Sequence, residues 1–444
     1  MSAMPAPTLE RITFRTSRLL DFCSRKELIA QTGHQEAEWP LVALKELVDN
    51  ALDACEDAGI PPVVRVVVDK DGIEVGDNGP GLPASTLDGV LDFSVRVSSR
   101  EAYVAPDRGA QGNALKTIIA MPFVLDGSEG SVGVSGLGRY DLIGLRVDRI
   151  RQEPIVERTT STSDVTKGTV VRIHWPVSAS SILIDSRVHF LQIARGYSLL
   201  NPHLTLTVDW FGESWTIEAT NPDWPKWRPS NPTSPHWYRV DHLERLVAAY
   251  IAHDADNGRE RTVRELVAEF RGLSGTAKQK AIAEEAGLPR ARLTDLWDGG
   301  EKAIGRLLAA MQAQSRPVKP ADLGLIGEAH LRTQLAAMGV KMESFDYRKA
   351  TGIEDGVPWV AETAFGWLGD GFSRHFFAGV NWSPGIVNPF RQLGRYGRSL
   401  DSILEQQRVG RLEPVVLVLH MACPRVEYTD RGKSAVVIGG SGAS

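Results

Sequence analysis

The segment that decides the fold reads LKELVDNALDACEDAG at residues 44–59, then VVRVVVDKDGIEV at 63–75 and GDNGPGL at 76–82. In its first part Glu46, Asn50 and Asp53 follow the spacing i, i+4 and i+7, so a helix presents them on one side and apolar residues on the other. Polar groups this close to an apolar core need partners, and a metal ion with phosphates would supply them. The segment therefore favours a nucleotide site over a plain amphipathic helix.

A strand pair and a glycine turn follow this helix. β-Branched residues predict a strand at 63–68 and a short strand at 73–75, and the chain then turns through Asp77, Gly79 and Gly81. An aspartate at the end of a strand can accept a hydrogen bond from an exocyclic amine, while glycines let the backbone approach a ligand closely. Taken alone, Asp-Asn-Gly is more often an ordinary turn.

A third element is the glycine-rich segment RGAQGNALK at residues 108–116. Gly109 and Gly112 precede an apolar, helix-like run from Ala114 to Met121, and the N–H groups at the start of such a helix can bind phosphate. The commoner nucleotide motifs do not fit, since the chain has neither GxxxxGK[ST] nor GxGxxG after its first strand.

Together and in this order, these segments resemble the GHKL ATPases, a superfamily that includes gyrase-type and type IIB topoisomerases, MutL, some heat-shock chaperones and histidine kinases. The matching residues are ELVDNALDA at 46–54, DNGPG at 77–81, RGAQGNALK at 108–116 and KGTV at 167–170. Within the superfamily the chain most resembles the B subunits of DNA topoisomerase VI. The resemblance implies an α+β fold: a GHKL (Bergerat) ATPase sandwich, a central helical module of the helix-two-turns-helix kind and a C-terminal α/β transducer domain.

Three domains are predicted on this basis: an ATPase domain with an N-terminal arm at 1–236, a helical domain at 237–330 and a transducer domain at 331–444. The first boundary follows NPDWPKWRPSNPTSPH at 221–236, which has five prolines and no periodicity. Trp224 and Trp227 within it are expected to be packing anchors rather than base-stacking platforms, because no basic cluster surrounds them.

Helical spacing dominates the middle of the chain, as in DHLERLVAAYIAH at 241–253. The turn at 274–277 beside Lys278 is compatible with a backbone nest for DNA phosphate. Charge alone favours a solvated helical surface, since residues 259–306 contain ten Lys or Arg against eight Asp or Glu. The assignment of a helix-two-turns-helix module therefore rests on the resemblance.

The last region mixes strands and helices. Strand character is found in VPWVAETAFGW at 357–367, SRHFFAGVNW at 373–382 and PVVLVLHMACP at 414–424, with a predicted helix at 399–410. Lys433 follows in a loop, where a lone lysine is by default a solvated charge. By resemblance, Lys433 is the γ-phosphate sensor that reaches the ATP site from the transducer domain.

The resemblance implies ATP and Mg²⁺ as cofactors and gives each residue of the opening segment a role. Glu46 would orient and deprotonate the attacking water, Asn50 would bind magnesium through its amide oxygen, and Asp77 would accept from the adenine amine. Asp53, one turn beyond Asn50, is expected to hold the site together rather than to touch ATP.

Further nucleotide contacts are expected around the turn, along the lid and at a strand start. By resemblance they are Gly79, Gly81, Gly109, Ala110, Gln111, Gly112, Asn113, Lys116 and Thr169. Lys116 either contacts phosphate or is solvated. Thr169 either helps to hold adenine through water or simply begins a strand. The lid has Asn113 or Ala114 at the position where the family usually keeps a further glycine, which predicts a stiffer lid and slower turnover.

Bulk composition sets the broad class. The 444 residues carry a net charge of -5 with 24% charged residues, which is ordinary for a soluble protein and does not by itself indicate nucleic-acid binding. Cys23, Cys55 and Cys423 lie far apart without a CxxC motif, which argues against a zinc site or a disulfide framework. We expect a cytoplasmic protein, since no apolar run approaches the roughly 18 residues that a membrane span requires.

The resemblance also predicts partners: double-stranded DNA, a second copy of the chain in an ATP-dependent homodimer, and a separate DNA-cleaving A-type subunit. Residues 1–15 are expected to form an arm that crosses to the other protomer when ATP closes the dimer. Arg391, Arg395 and Arg398 form a basic stretch that faces either DNA or solvent.

Two other interpretations remain open. A stand-alone DNA-associated ATP clamp, of a mobile element or a defence system, would close on DNA without cutting it. A histidine kinase ranks lowest, because the chain shows no dimerisation helix pair with a phospho-accepting histidine. Only eleven residues follow Lys433, so the long helix that docks the cleaving subunit in the resembled family is expected to be shortened.

Overall fold

A computed structural model describes residues 23–91, 102–108, 114–148, 153–228, 230–369, 373–390, 400–428 and 435–436. They form an α+β fold with an eight-stranded and a five-stranded sheet. The helices are α1 (Arg25–Thr32), α2 (Trp39–Asp57), α3 (Ala84–Leu91), α4 (Ala114–Asp126), α5 (Ser180–Asp185), α6 (Arg187–Leu200), α7 (Val240–Asp256), α8 (Val263–Ala268), α9 (Thr276–Glu285), α10 (Leu293–Asp298), α11 (Gly300–Ala313), α12 (Glu328–Ala337) and α13 (Leu400–Gln406).

The strands are β1 (Val63–Asp69), β2 (Gly72–Asp77), β3 (Glu129–Gly136), β4 (Arg139–Asp148), β5 (Glu153–Thr162), β6 (Thr169–His174), β7 (Thr205–Trp210), β8 (Glu213–Ile217), β9 (Lys341–Glu354), β10 (Val357–Trp367), β11 (His375–Val380), β12 (Ser383–Pro384) and β13 (Val415–Ala422). The strands predicted at 63–68 and 73–75 are thus confirmed as β1 and β2. The three strands predicted in the last region are confirmed as β10, β11 and β13.

The eight-stranded sheet has the order β5-β4-β3-β6-β2-β1-β7-β8. β1 and β7 are parallel, and the other neighbouring pairs are antiparallel. Val64, Val66 and Val68 alternate into the core from β1 because successive side chains of a strand point to opposite faces. Helices α2, α4 and α6 pack together beside the sheet, with α2 against β2 and α4 against β3.

The five-stranded sheet has the order β12-β11-β13-β10-β9, in which β11 and β13 are parallel. It packs against α6 and α12. The turn between β11 and β12 lies against α2, as described below.

Sequence patterning missed the strands β5 and β9. Each lies at one edge of its sheet. Most described positions of β9 and β5 are exposed or half-buried, so the alternation that marks a buried face is lost. Edge strands of this kind carry charged and polar residues, which also discourage pairing with other chains.

Most of the buried apolar side chains of the described residues belong to two large clusters. The first lies between the eight-stranded sheet and its helices. The second runs continuously from Trp224 through α7–α12 to β10 and β13. Trp224 and Trp227 are 8% and 2% exposed, which confirms that they pack in the interior. The domain limits at 236 and 330 remain predictions.

No described helix combines the length and the apolar character that crossing a bilayer requires.

Candidate nucleotide site

Helix α2 carries the predicted catalytic and metal-binding residues. Glu46 is half-buried and Asn50 is exposed, whereas Asp53 is only 6% exposed. The Arg108 guanidinium donates to Asp53 Oδ1 over 2.7 Å. Asp53 therefore faces the protein interior and fixes the residue that immediately precedes the predicted lid, which agrees with the holding role expected for it.

Asp49, Asp53 and Glu56 form an acidic stripe that sequence reasoning missed. They follow the spacing i, i+4 and i+7 on α2 and are 5%, 6% and 4% exposed. Buried carboxylates require cations or several donors, because an isolated charge in the interior is very costly. The spacing itself was a usable signal: three acids beside an apolar helix face imply buried cations elsewhere in the chain.

Glu56 is the centre of a buried ionic cluster. Arg108 donates to both of its oxygens, at 2.8 and 2.6 Å, while Lys226 Nζ lies 2.5 Å and His203 Nε2 2.9 Å away. Burial alone would raise the pKa of Glu56, but Arg108 and Lys226 reverse this and hold it well below its usual value. The Glu56 carboxylate thus joins Arg108, which precedes the predicted lid, to Lys226 in the proline-rich segment 221–236.

Lys226 has the more labile charge in this cluster. Burial, reinforced by the neighbouring charge of Arg108, lowers the pKa of Lys226 to about 8. Its ammonium also lies 4.3 Å from the centre of the Trp382 ring, within the range of a cation–π contact. Because Trp382 lies in the turn that joins β11 and β12 of the five-stranded sheet, the cluster links α2, beside the eight-stranded sheet, to the five-stranded sheet.

Asp77, the predicted adenine-binding residue, ends β2 in a half-buried position. Its Oδ1 accepts from the backbone N–H of Gly79 at 2.8 Å and from that of Thr169 at 3.2 Å. Among the described residues Oδ2 accepts no hydrogen bond, so that oxygen can still accept one from a ligand. Burial raises the pKa of Asp77, against the lowering effect of the two N–H donors.

Asn78 serves the turn, not the ligand. Its Oδ1 accepts from the N–H of Val63 at 2.9 Å, and its Nδ2 donates to the carbonyl of Pro61 at 3.0 Å. These bonds tie the turn to the start of β1. In Asp-Asn-Gly the turn function therefore falls to Asn78, whereas the predicted ligand contact is Asp77.

Two glycines make the turn possible because nothing larger fits. Gly168, at φ 72°, would place a Cβ 1.8 Å from the carbonyl oxygen of Asp77. Gly81, at φ 85°, would place one 2.8 Å from Leu137 Cγ. The N–H of Gly168 donates to the carbonyl of Gly79 at 2.9 Å, which fastens the turn to the start of β6. Close backbone packing, besides any ligand, demands glycine here.

The structure describes two more of the predicted nucleotide contacts, Lys116 and Thr169. Lys116, near the start of α4, is 1% exposed, so the solvated alternative is wrong. Thr169 begins β6, is half-buried and touches Asp77 through its backbone N–H. The role of the Thr169 hydroxyl stays a prediction.

Several predicted residues lie outside the described part of the chain. These are the lid residues Gly109, Ala110, Gln111, Gly112 and Asn113, the sensor Lys433, the arm at 1–15, and Arg391, Arg395 and Arg398. Their predicted roles stay predictions.

The described residues contain no group of three or more His, Cys, Asp or Glu arranged to hold a metal ion. This donor set still fits Mg²⁺ beside a nucleotide, because Mg²⁺ keeps several waters and uses one or two protein oxygens with substrate phosphates. Asn50 offers an exposed amide oxygen one helical turn from Glu46.

Comparison with known proteins gives relatives along most of the chain. It is 24% identical to the B subunit of type 2 DNA topoisomerase 6 from Archaeoglobus fulgidus over 414 residues, which cover 89% of this chain and 66% of the relative. The chain is similar to topoisomerase 6 B subunits. The counterpart from Metallosphaera sedula is 25% identical, over 89% of this chain and 75% of the relative.

A shorter stretch is more similar still. The topoisomerase 6 B subunit of Thermococcus kodakarensis is 31% identical over 137 residues, or 29% of this chain. The chain spans about two thirds of the length of the Archaeoglobus relative. No family model matches the chain.

Solved structures give weaker likenesses. The N-terminal domain of a DNA repair protein has a TM-score of 0.40, and the Aquifex aeolicus MutL ATPase domain with ADP has 0.32, both at 13% identity. They cover 92% and 85% of this chain, and 92% and 89% of their own. TM-scores this low carry no weight for the fold.

Proposed function

We propose that this protein is an ATP-binding and ATP-hydrolysing subunit of the GHKL type that acts on DNA in the manner of the topoisomerase 6 B subunits. The observation that carries the nucleotide part is Asp77. Its carboxylate is fixed at the end of β2 by two backbone N–H groups, with Oδ2 left to accept from a ligand. An anchored acceptor of this kind is suited to an exocyclic amine such as that of adenine.

The residues of α2 would then do the chemistry. Glu46 would align the attacking water and accept its proton, which requires a carboxylate within hydrogen-bond reach of that water. Asn50 would hold Mg²⁺, which when bound neutralises charge on the phosphates. The lid at 109–113 with Lys116 would enclose the phosphates, and Lys433 would contact the γ-phosphate from the transducer domain.

The DNA part of the proposal rests on sequence similarity to the topoisomerase 6 B subunits. It comprises an ATP-driven homodimer that closes around double-stranded DNA, with a separate subunit that cleaves the DNA. Glu46 would act on the attacking water, and Lys433 would contact the γ-phosphate from the transducer domain. Together they would couple hydrolysis to the angle between the ATPase domain and the transducer domain.

The direct test is ATP turnover by Glu46→Gln. The amide keeps the size of the side chain but cannot accept a proton, so kcat should fall by roughly 10²- to 10⁴-fold while ATP affinity changes little. Steady-state phosphate release and binding of a fluorescent ATP analogue measure the two effects.

Glu343→Gln, the same change on the exposed strand β9, is the matched control and should turn over ATP like the wild type. Normal turnover by Glu46→Gln would remove the catalytic assignment. A wild-type protein that neither binds nor hydrolyses ATP would remove the whole proposal.

A further inference from the structure

The turn between β11 and β12 has an unusual residue. Val380 and Ser383 pair across a two-residue loop, in which Asn381 and Trp382 have φ values of 48° and 63°. Positive φ at both central positions defines the type I′ hairpin turn, whose second position is normally glycine. Here that position holds a fully buried tryptophan. A bulky residue stays in this conformation only when its surroundings hold it there.

Asn381 links the turn to the lid entrance, the two residues Asp107 and Arg108 that precede the predicted lid. Its Nδ2 donates to the carbonyl of Asp107 at 3.2 Å, two residues before Gly109, where the predicted lid begins. Its Oδ1 accepts from the N–H of Cys423, at the end of β13, at 2.9 Å. One amide thus bridges the entrance of the lid and a central strand of the five-stranded sheet.

Trp382 links the turn to the buried ionic cluster. Its ring lies against the ammonium of Lys226, the partner of Glu56. The backbone N–H of Trp382 donates to His420 Nε2 on β13 at 3.1 Å, and the backbone carbonyl of Trp382 accepts from Asn201 Nδ2 at 2.9 Å. Asn201 also accepts from Arg108 at 2.7 Å, and Lys226 shares Glu56 with Arg108, so the contacts of Trp382 with Asn201 and Lys226 both lead back to the residue before the lid.

Ser383 links the turn to α2. Its hydroxyl lies 2.7 and 2.9 Å from the two carboxylate oxygens of Asp49, which directly precedes Asn50. Tyr197 donates to the same carboxylate at 2.8 Å, and Lys45 lies 2.9 Å from it. Asp49 therefore stands between the predicted magnesium ligand and the five-stranded sheet.

The hairpin has no slack against α6. A Cβ on Gly379 would lie 2.2 Å from Leu200 Cδ1, and one on Gly196 would lie 3.1 Å from Pro384. In a close-packed contact small shifts are transmitted or the contact breaks, since neither side can compress. A movement of α2 or of the lid entrance must therefore move the turn or break its hydrogen bonds.

We infer that the turn Asn381–Ser383 passes the state of the nucleotide site from α2 and the lid entrance to β11 and β13. The inference rests on the proposed function, but it uses a route separate from Lys433. Asn381 and Ser383 are positioning residues, because they act through Asp107 and Asp49 and touch no reacting atom. Hydrogen bonds to Asp107, Asn201 and Asp49 and a cation–π contact with Lys226, each in a different chain segment, distinguish this turn from a residue that only fills the core.

The test compares hydrogen exchange of the full-length protein with and without a non-hydrolysable ATP analogue and Mg²⁺. In the wild type the analogue should slow exchange in peptides from α2 and also in peptides covering 375–384 and 415–423. In Ser383→Ala the change in α2 should remain, while the change in the five-stranded sheet should be lost. Its kcat for ATP should fall about 2- to 30-fold with KM nearly unchanged, the range seen for residues that couple sites.

Ser198→Ala is the matched control. Ser198 is also buried, at 1% exposure on α6, and its hydroxyl has no partner among the described residues. It should behave like the wild type in exchange and turnover. Asn381→Gly is a second variant that keeps a residue favoured at this turn position and removes both side-chain bonds. It should lose the sheet response as Ser383→Ala does.

The outcomes distinguish a failure of the proposed function from a failure of the inference about the turn. If the analogue changes exchange nowhere in the wild type, the proposed function has failed, and the inference fails with it. If α2 responds and the sheet response persists in Ser383→Ala and in Asn381→Gly, the inference is overturned while the nucleotide site stands. Loss of the response in Ser198→Ala as well would also overturn it, because general loosening would then explain the effect.

Discussion

Two carboxylates on neighbouring elements of this protein, the buried Glu56 of α2 and the half-buried Asp77 of β2, differ in how many internal donors hold them. Glu56 is saturated by Arg108 and Lys226, so it contributes structure and has little capacity left for a ligand. Asp77 is held through one oxygen only. The number of internal donors thus separates Glu56, whose two oxygens are both used inside the protein, from Asp77, which keeps one oxygen for the proposed ligand.

Asp77→Asn should weaken ATP binding by about 10- to 100-fold. An amide nitrogen in place of either oxygen loses the contact with the N–H groups of Gly79 and Thr169 or the contact with the adenine amine, and an unmade buried hydrogen bond costs about 1–3 kcal/mol. The preference for ATP over inosine triphosphate, which has an oxygen in place of the 6-amino group, should shrink. Titration with both nucleotides measures this.

Asp71→Asn, at an exposed position of the turn before β2, is the control and should bind both nucleotides as the wild type does. An unchanged preference for ATP in Asp77→Asn would show that the carboxylate does not read the amine.

Trp382 shows how one residue can be kept in an unfavourable conformation. The left-handed region costs a residue with a side chain roughly 1–2 kcal/mol. Contacts with Lys226, His420 and Asn201 offset this cost. The strain is therefore stable only while the elements around it stay in place, which suits a position that responds to their movement.

Among the elements, the start of β6 and the turn after β2 depend on each other. Gly168 donates to the carbonyl of Gly79, and Thr169 donates to Asp77. The carboxylate of Asp77, the proposed adenine contact, is thus positioned by a segment about ninety residues away along the chain, which a local sequence pattern cannot reveal.

Gly168→Ala should lower both stability and ATP affinity. Besides the strain of positive φ, its Cβ would lie 1.8 Å from the carbonyl oxygen of Asp77 and would force the turn away. Gly127→Ala has a similar φ of 80° with nothing within 4 Å, so it isolates the strain. We expect about 1 kcal/mol of destabilisation for Gly127→Ala and at least about 2 kcal/mol more for Gly168→Ala.

Chemical denaturation measures the free energy of unfolding of both variants, and nucleotide titration measures their affinity. Equal losses of stability, with unchanged ATP binding in both, would contradict the account of the turn.

For the whole molecule, the distribution of apolar and charged groups is informative. One apolar cluster fills the eight-stranded layer, and a second joins the middle helices to the five-stranded sheet. Between them lie polar contacts, such as Asp49 with Ser383 and Glu56 with Lys226. Polar interfaces within a chain are typical of parts that move relative to one another.

Supercoil relaxation should separate the topoisomerase from the clamp. We expect this chain to remove supercoils from plasmid DNA only with ATP and a co-encoded DNA-cleaving subunit, because the proposed ATPase supplies closure and the partner supplies cleavage. Sedimentation with a non-hydrolysable ATP analogue should show a dimer, and deletion of residues 1–15 should abolish it. Gel assays of relaxation and sedimentation velocity are the measurements.

A dimer that closes on DNA without relaxation in the presence of the partner would contradict the topoisomerase proposal and support the clamp. An unchanged sedimentation profile after deletion of residues 1–15 would contradict the role of the arm.

The sequence by itself determined the elements that carry a strong local period. The helix α2, the strands β1 and β2 and the glycine turn after them follow from side-chain spacing and β-branched runs. The family resemblance rested on motifs in α2 and the glycine turn together with those at 108–116 and 167–170, and the similarity to the topoisomerase 6 B subunits bears it out. The strands β5 and β9 were not predicted, because their described positions are half-buried or exposed and show no alternation of buried residues.

Only the tertiary structure decided which polar residues meet. Asp77 meets the start of β6, Glu56 meets Lys226, and Asp49 meets Ser383 more than three hundred residues away. Partners of buried charges are chosen by chain topology, and the local spacing of a sequence shows only that a partner is needed. The sequence of helix α2 therefore predicted a nucleotide site, whereas only the fold shows that this helix contacts the turn of the five-stranded sheet.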